Sequence, residues 1–178
     1  DIEGLKTNPK ITVAQQEGFN IGFLAYNTLV APFDKPEVRR ALNKAINKKA
    51  IIDAVYLSSG VAATNPIPPT MWSYNETIKD DPFDPEAAKK ELDAAGWKAD
   101  SDGARSKNGT ALSLTVLYAP IYGPSKDALE LLQQQARKAG IALELQQVPT
   151  PEFAARLTAG DWDYYWGNLT RADPDILR

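Results

Sequence analysis

The chain has 178 residues, of which 43% are hydrophobic, and a formal net charge of −3. This length allows one domain or at most two small ones, with enough apolar side chains to bury a core. The acidic balance argues against a nucleic-acid-binding role, which normally needs a basic face. The sequence contains no Cys and no His, which excludes thiol and imidazole catalysis and zinc sites built on those residues.

No apolar run approaches the roughly 20 residues that span a bilayer, and no signal peptide is visible. The sequence starts at Asp1 without Met and stops at Arg178 shortly after a proline. We therefore interpret residues 1–178 as a piece excised from a longer protein. In that case the localisation signal belongs to the original N-terminus, and cysteine usage alone does not decide the compartment.

The first predicted elements are a strand and a helical region. Phe19–Leu29 is aromatic and β-branched with partial alternation, which is typical of a strand. A turn follows, and Asp34 is the expected cap of a helix, since apolar residues then recur at helical spacing. The pattern predicts a break near Asn47 and an end to the helical region near Gly60.

A proline-rich stretch, residues 60–84, separates this region from the next helix. Prolines prevent long regular structure there, so we expect the stretch to run extended over the surface and to pack Trp72 and Tyr74. The sequence Asp84–Glu86 then predicts a helix with an Asp cap and Pro at its first position, ending at Gly96.

The second half alternates between strands and helices. Residues 100–109 are polar and Gly-rich, which predicts a tight hairpin. The remaining predicted elements, in order, are a strand at Thr110–Tyr118, a helix at Tyr122–Ala139, a strand at Ile141–Val148, a short helix at Thr150–Gly160 and an aromatic strand at Trp162–Leu169. This order predicts an α/β fold in which helices cover a mixed, mostly parallel sheet.

Four segments, in this order and spacing, resemble the family 5 extracellular solute-binding proteins, which serve oligopeptide and dipeptide ABC importers. They are YN at 26–27 with PFD at 32–34, VRRAL at 38–42 and AIN at 45–47; FDPEAA at 83–88 with GW at 96–97; GIALELQQV at 140–148; and GDWD at 160–163 with DPD at 173–175. Each segment alone is weak, because Asp-Pro-Glu starts many helices. Together they are specific, and they cover nearly the whole chain.

The resemblance implies a lobe of the periplasmic-binding-protein type II fold. It matches the C-terminal lobe, called domain III, of a protein roughly three times this length. Such proteins close two lobes over a small solute and then dock on a membrane permease. The implied partners are therefore a solute, the N-terminal lobe and an ABC permease. The implied location is periplasmic or extracellular, where a lipid anchor can hold the full-length protein to the cell envelope. Neither a cofactor nor an enzymatic activity is implied.

The resemblance also implies which residues contact the solute. They are Asn27, Phe153, Tyr165, Trp166, Asn168, Thr170 and Arg171. Asn168, Thr170 and Arg171 are expected in a loop at the end of the last strand, where open α/β sheets bind ligands. For Phe153 a core position is an equal alternative, and for Asn27 a turn-stabilising role is the more common one. Each aromatic ring of the last strand has packing as its alternative role.

One position departs from the family pattern. Peptide-binding members place an Asp, which pairs with the peptide α-amino group, about three residues before the Asp-Pro of the last segment, and this chain has Thr170 there. A hydroxyl cannot supply that charge, and Arg171 adds a cation instead. The expected solute is therefore peptide-like but need not have a free amino group, and an anionic, sugar-like or modified solute is included.

Two other classes of protein are alternatives. A hydrolase could use paired carboxylates such as Asp161 and Asp163, although we expect these two side chains to point to opposite faces. A protein-interaction domain could instead dock its aromatic strand on a partner. The acidic run Asp80, Asp81 and Asp84 could bind Ca²⁺, but such runs more often cap helices and stay solvated, so no metal is predicted.

Overall fold

The computed structural model describes residues 2–57, 59–121, 123–170 and 173. The helices are α1 (Ile2–Lys6), α2 (Pro36–Ala45), α3 (Lys48–Val55), α4 (Pro85–Ala94), α5 (Ser125–Lys138) and α6 (Thr150–Ala159). The strands are β1 (Asn20–Tyr26), β2 (Lys98–Ala99), β3 (Arg105–Lys107), β4 (Thr110–Ala111), β5 (Ser113–Tyr118), β6 (Ala142–Gln147) and β7 (Tyr164–Thr170). Within the described residues, every helix is too short or too polar to cross a membrane.

The main sheet has the strand order β1-β7-β5-β6. Strand β5 runs parallel to both β6 and β7, whereas β1 runs antiparallel to β7. Helices α5 and α6 form the crossovers that parallel strands require. The predicted α/β class with a mixed, mostly parallel sheet is confirmed.

Strand β7 extends past the end of its parallel neighbour. It pairs with β5 at Tyr164 and Tyr165 but with β1 along its whole length, ending where Thr170 lies opposite Asn20. The second half of β7 and the first half of β1 therefore form a two-stranded extension at the carboxyl edge of the parallel strands. We call this extension, residues 20–23 and 167–170, the ribbon.

Alternating side chains of β5 divide the core between the two faces of the sheet. Leu114 and Val116 belong to the larger cluster, which also contains the buried sides of α2, α4 and α5. Leu117 belongs to a smaller cluster with Val148 and with Phe153 of α6. The sheet is therefore covered on both faces, as expected for strands that are largely apolar on both sides.

The expected helix cap at Asp84 is present, since its side chain accepts a hydrogen bond from the Ala87 amide at 2.8 Å. A cap that the sequence did not predict lies at Asn47, whose side chain accepts a hydrogen bond from the Ala50 amide at 2.9 Å. The expected cap at Asp34 is wrong. Helix α2 starts at Pro36, so Lys35 occupies the capping position and makes no side-chain capping bond. Asp34 lies one residue too early and instead forms an ion pair with Lys35 at 2.7 Å.

The region predicted as one hairpin and one long strand is divided differently. Strands β2, β3 and β4 form a separate small antiparallel sheet. Asn108 and Gly109 have φ of 52° and 80°, the left-handed pair that a tight two-residue turn needs. The predicted strand at Thr110–Tyr118 breaks at Leu112, whose amide bonds Arg105 in the small sheet while its carbonyl bonds Ala142 in the main sheet.

The proline-rich stretch is irregular and largely exposed, as predicted, but its packing differs from the expectation. Tyr74 is partly buried. Trp72 is 86% exposed, and the buried side chain of this segment is its neighbour Met71, at 7% exposure. The prediction that Trp72 packs onto the domain is therefore wrong, because Met71 occupies the buried position instead.

The pairing of β1 with β7 generates a test of the fold. A methyl group at Gly167 would lie 2.6 Å from Cζ of Phe23, whereas one at Gly18 would meet nothing within 4 Å. We expect Gly167→Ala to destabilise the chain by about 1–3 kcal/mol, since overpacking forces neighbours to shift. Urea unfolding of both variants checks this, and equal stability of Gly167→Ala and Gly18→Ala would contradict the packing.

Candidate functional site

One face of the ribbon carries polar groups, and the ring of Trp166, the residue just before the ribbon in β7, lies on the same face. Trp166, Asn168 and Thr170 alternate along β7 and so share a face. Trp166 and Asn168 are partly buried, and Thr170 is exposed. The Thr170 hydroxyl lies 3.1 Å from Oδ1 of Asn20, its cross-strand partner, and donates to it. This face therefore offers an aromatic surface, an amide and a hydroxyl in a row.

Trp166 combines close packing with an unused donor. Its ring atom Cζ2 would lie 3.5 Å from a methyl group placed at Gly22, so the indole lies over that glycine. Its Nε1 is buried and finds no acceptor among the described residues. A buried donor without a partner costs about 1–3 kcal/mol, so this N–H lowers the stability of the chain as it stands.

The opposite face of β7 is occupied by aromatic packing. Tyr165 meets Trp162, Phe23 and Phe153 edge to face, with ring centroids 4.8, 5.9 and 5.9 Å apart. Phe153 is only 7% exposed and belongs to the smaller core cluster. The structure thus places Tyr165 and Phe153 on the opposite face from Trp166. There they pack against each other, which is the alternative to ligand contact given above.

Asn27 lies at the other end of the strand pair. Its amide nitrogen Nδ2 donates to the Trp162 carbonyl at 2.8 Å, and its Oδ1 accepts from the Leu29 amide at 3.2 Å. Its backbone N–H donates to the Asp163 carbonyl at 2.8 Å. These bonds hold the turn after β1 against the segment before β7. Asn27 therefore has the turn-stabilising role that was the alternative to ligand contact. They also account for a final strand that starts at Tyr164 rather than at Trp162.

The predicted ligand-contacting residues thus fall into three groups. Trp166, Asn168 and Thr170 lie together, while Asn27, Phe153 and Tyr165 lie elsewhere, and Arg171 falls outside the described residues. The structure adds Asn20 and Gly22 to the site, because the register places them opposite Thr170 and Asn168. Nothing in the sequence identified these two, since strand register depends on contacts distant in sequence.

Two stacked phenols lie at the base of the strand pair. Tyr26 stacks on Tyr164 with ring centroids 5.0 Å apart and an interplanar angle of 7°, and its hydroxyl donates to Oδ1 of Asn43 at 2.6 Å. Burial is the main cause that raises the pKa of both phenols above the ordinary value for tyrosine. This neutral, hydrogen-bonded pair joins the sheet to α2.

A small recess elsewhere bears on the hydrolase alternative. It has a volume of about 140 Å³, and its lining includes both Asp161 and Asp163. The expectation that these carboxylates point to opposite faces is wrong, because both line this one recess. However, Asp161 is already ion-paired with Nε of Arg156 at 3.0 Å. The recess is also lined mainly by polar side chains that are exposed or half-buried, so it resembles an ordinary solvated surface.

The acidic run that could have held Ca²⁺ has other contacts. Asp80 forms an ion pair with Lys48, and Asp84 caps α4. In the part of the chain that the structure describes, no group of three or more acidic, His or Cys side chains is placed to hold a metal ion.

Known proteins resemble this chain over nearly its whole length. The family model described as bacterial extracellular solute-binding proteins, family 5 Middle, matches residues 1–176. A di/tripeptide-binding protein 1 of Pseudomonas aeruginosa is 41% identical over 92% of this chain and 29% of its own length. A heme-binding protein A of Haemophilus influenzae is 53% identical over 54% of this chain and 18% of its own length.

Among solved structures, NikA from Brucella suis in complex with Fe(III)-EDTA superimposes with a TM-score of 0.91 at 26% identity. It covers 98% of this chain, which in turn covers 36% of that structure. The chain therefore spans about a third of this structure's length and less of the two curated relatives.

The buried phenols predict how stability changes at high pH. The folded-state pKa of Tyr26 and Tyr164 is raised above the unfolded value of about 10. Their contribution to the free energy of unfolding is therefore fully present below pH 10 and is lost as the pH rises. We expect a loss of about 1.4 kcal/mol per pH unit for each phenol above pH 10. Urea unfolding against pH checks this, and Tyr26→Phe should show a smaller loss. Ionisation of all seven tyrosines together near pH 10 in the folded chain would contradict it.

Proposed function

This chain belongs to the bacterial extracellular solute-binding proteins of family 5, and from that premise we propose that it is the C-terminal lobe of an ABC importer's binding component. A small solute is captured between this lobe and an N-terminal lobe outside the chain, and is then delivered to a membrane permease. The protein works by binding, without catalysis, in the periplasm or at the outer surface of the cell.

The face of the ribbon that carries Asn168 and Thr170, with Trp166 at its base, is the observation that supports this proposal most directly. It extends past the carboxyl ends of β5 and β6, the edge at which open α/β sheets bind ligands. Its row of aromatic, amide and hydroxyl groups forms one wall. A small-molecule site buries most of its ligand, so the opposite wall comes from a second lobe.

The ribbon also supports a single linkage to that lobe. Asn20 and Thr170 are paired at the same end of the sheet, so the outer ends of the first and last strands lie side by side. The relatives are much longer than this chain, and a domain joined through two adjacent strands can move as a unit relative to the rest.

The chemistry of the ribbon favours a solute that is recognised by apolar contact area and by neutral hydrogen bonds. The indole of Trp166 offers apolar surface, and Asn168 offers an amide. Thr170 replaces the acidic residue expected for a peptide amino group, and its hydroxyl already donates to Asn20. We therefore propose a peptide-like solute whose amino end, if it has one, is not held by a carboxylate at position 170.

Calorimetry on the intact protein tests the proposed function. The first solutes to try are di- and tripeptides, heme and chelated metal, which the names of the relatives suggest, followed by N-acylated peptides, sugars and opines. We expect one class to bind tightly, and the isolated 178-residue lobe to bind it at least about 100-fold more weakly, because half of the contacts are absent. Equal affinity of the isolated lobe, or turnover of the solute, would refute the proposal.

The indole of Trp166 provides a residue-level test in the intact protein. Trp166→Phe keeps an aromatic ring but removes part of the apolar surface together with the N–H, so we expect about 3- to 10-fold weaker binding of the solute. The unliganded protein should also lose about 1–3 kcal/mol of stability, since Trp166 packs against the main core and a smaller ring leaves a gap there. Trp162→Phe, on the opposite face, is the matched control and should leave the affinity unchanged. Unchanged affinity in Trp166→Phe would show that the solute does not contact this indole.

A further inference from the structure

Trp72 stands out because the fold holds it away from the domain. Its side chain is 86% exposed, although the segment around it is ordered by tight turns. The Met71 amide donates to the Pro68 carbonyl, and the Tyr74 amide donates to the Met71 carbonyl, each at 3.0 Å. Met71 itself is buried at 7% exposure. The loop is thus anchored on both sides of a tryptophan that points into solvent.

The loop is attached next to the ribbon. The Thr70 hydroxyl donates to the Gly18 carbonyl at 3.0 Å, and Gly18 lies two residues before Asn20, the first residue of the ribbon. Phe19, between them, is also exposed, at 43%. The two aromatic residues Phe19 and Trp72, which we call the aromatic pair, therefore flank one backbone contact at the carboxyl edge of the sheet.

Exposed large aromatics at such a position are typical of a binding surface. Tryptophan is the side chain most enriched among residues that dominate binding energies, and its cost in conformational entropy is low because it has only two side-chain torsions. A residue that lines a solute pocket is recessed, whereas Trp72 protrudes. A protruding ring suits insertion into a facing surface better than contact with a small molecule.

We propose that the aromatic pair docks into an apolar surface of the facing lobe when the two lobes close, with Trp72 as the anchor. The inference rests on the proposed two-lobe function. The occupant follows from position and length, because the aromatic pair lies beside the ribbon that carries the proposed solute-facing wall, and this chain covers only 29% of a di/tripeptide-binding relative. We therefore place the facing lobe on this side of the domain.

Photo-crosslinking in the intact protein tests this inference. The photoreactive residue p-benzoylphenylalanine replaces Trp72 in one variant and Leu29 in a matched control. Leu29 is 92% exposed but follows the far end of β1, roughly 20 Å from the ribbon by the rise of a strand. After irradiation, with and without a di- and tripeptide mixture, mass spectrometry maps the crosslinked peptides.

The expected result is a crosslink from position 72 to residues outside 1–178 of the same polypeptide, with none from position 29. Peptides that bind should increase its yield, because they favour the closed form. Crosslinks from position 72 only to added peptide, only to a second copy, or to nothing would each overturn the inference. The crosslink from position 72 is also measured without added peptide. If no peptide binds, the proposed cargo is wrong, but the crosslink measured without peptide still tests the inference.

Affinity measurements give a second readout. We expect Trp72→Ala to weaken the binding of whichever peptide binds by about 10-fold, the usual loss at an anchor residue, and Leu29→Ala to leave it unchanged. Thermal denaturation of the unliganded protein should be the same for both variants, because both side chains are exposed. Equal affinities of the two variants for the peptide would overturn the inference even where the proposed function holds.

Discussion

The antiparallel pairing of β1 with β7 is the constraint on which the rest of the structure depends. It joins residues that are nearly the whole chain apart, from Tyr26 opposite Tyr164 to Asn20 opposite Thr170. Aromatic rings stabilise it on both faces, since Phe23 covers Gly167 and Trp166 covers Gly22. At Gly167 a methyl group would lie 2.6 Å from the Phe23 ring, so that position accepts no larger residue without rearrangement, whereas at Gly22 it would make ordinary contact with the indole at 3.5 Å.

This pairing also separates the roles of the aromatic residues in β7. Because side chains alternate across a strand, Tyr165 turns to the packed cluster around Phe153 while Trp166 turns to the face that carries Asn168 and Thr170. The packed side rigidifies the strand, and a rigid strand positions polar groups more precisely than a loop does. The candidate site is therefore built from the same contacts that hold the sheet together.

Local signals predicted most elements because their causes are local. Asp84 before Pro85 starts a helix through a side-chain cap, and Gly160 ends one in the left-handed conformation at φ 71°. The failures have longer-range causes. The break of the predicted strand at Leu112 arises because that residue bonds to both sheets, and the outward direction of Trp72 arises because Met71 occupies the buried position instead.

The sequence by itself determined the α/β class, the order of the elements, the absence of Cys and His chemistry, and a resemblance specific enough to predict the family. Only the tertiary structure decided which predicted contact residues lie together, because that depends on register and on which face of a strand meets the core. It brought Trp166, Asn168 and Thr170 together, and it placed Asn27 in a turn at the other end of the same strands. A one-residue shift in register would have exchanged the two faces, and no local pattern in the sequence specifies that choice.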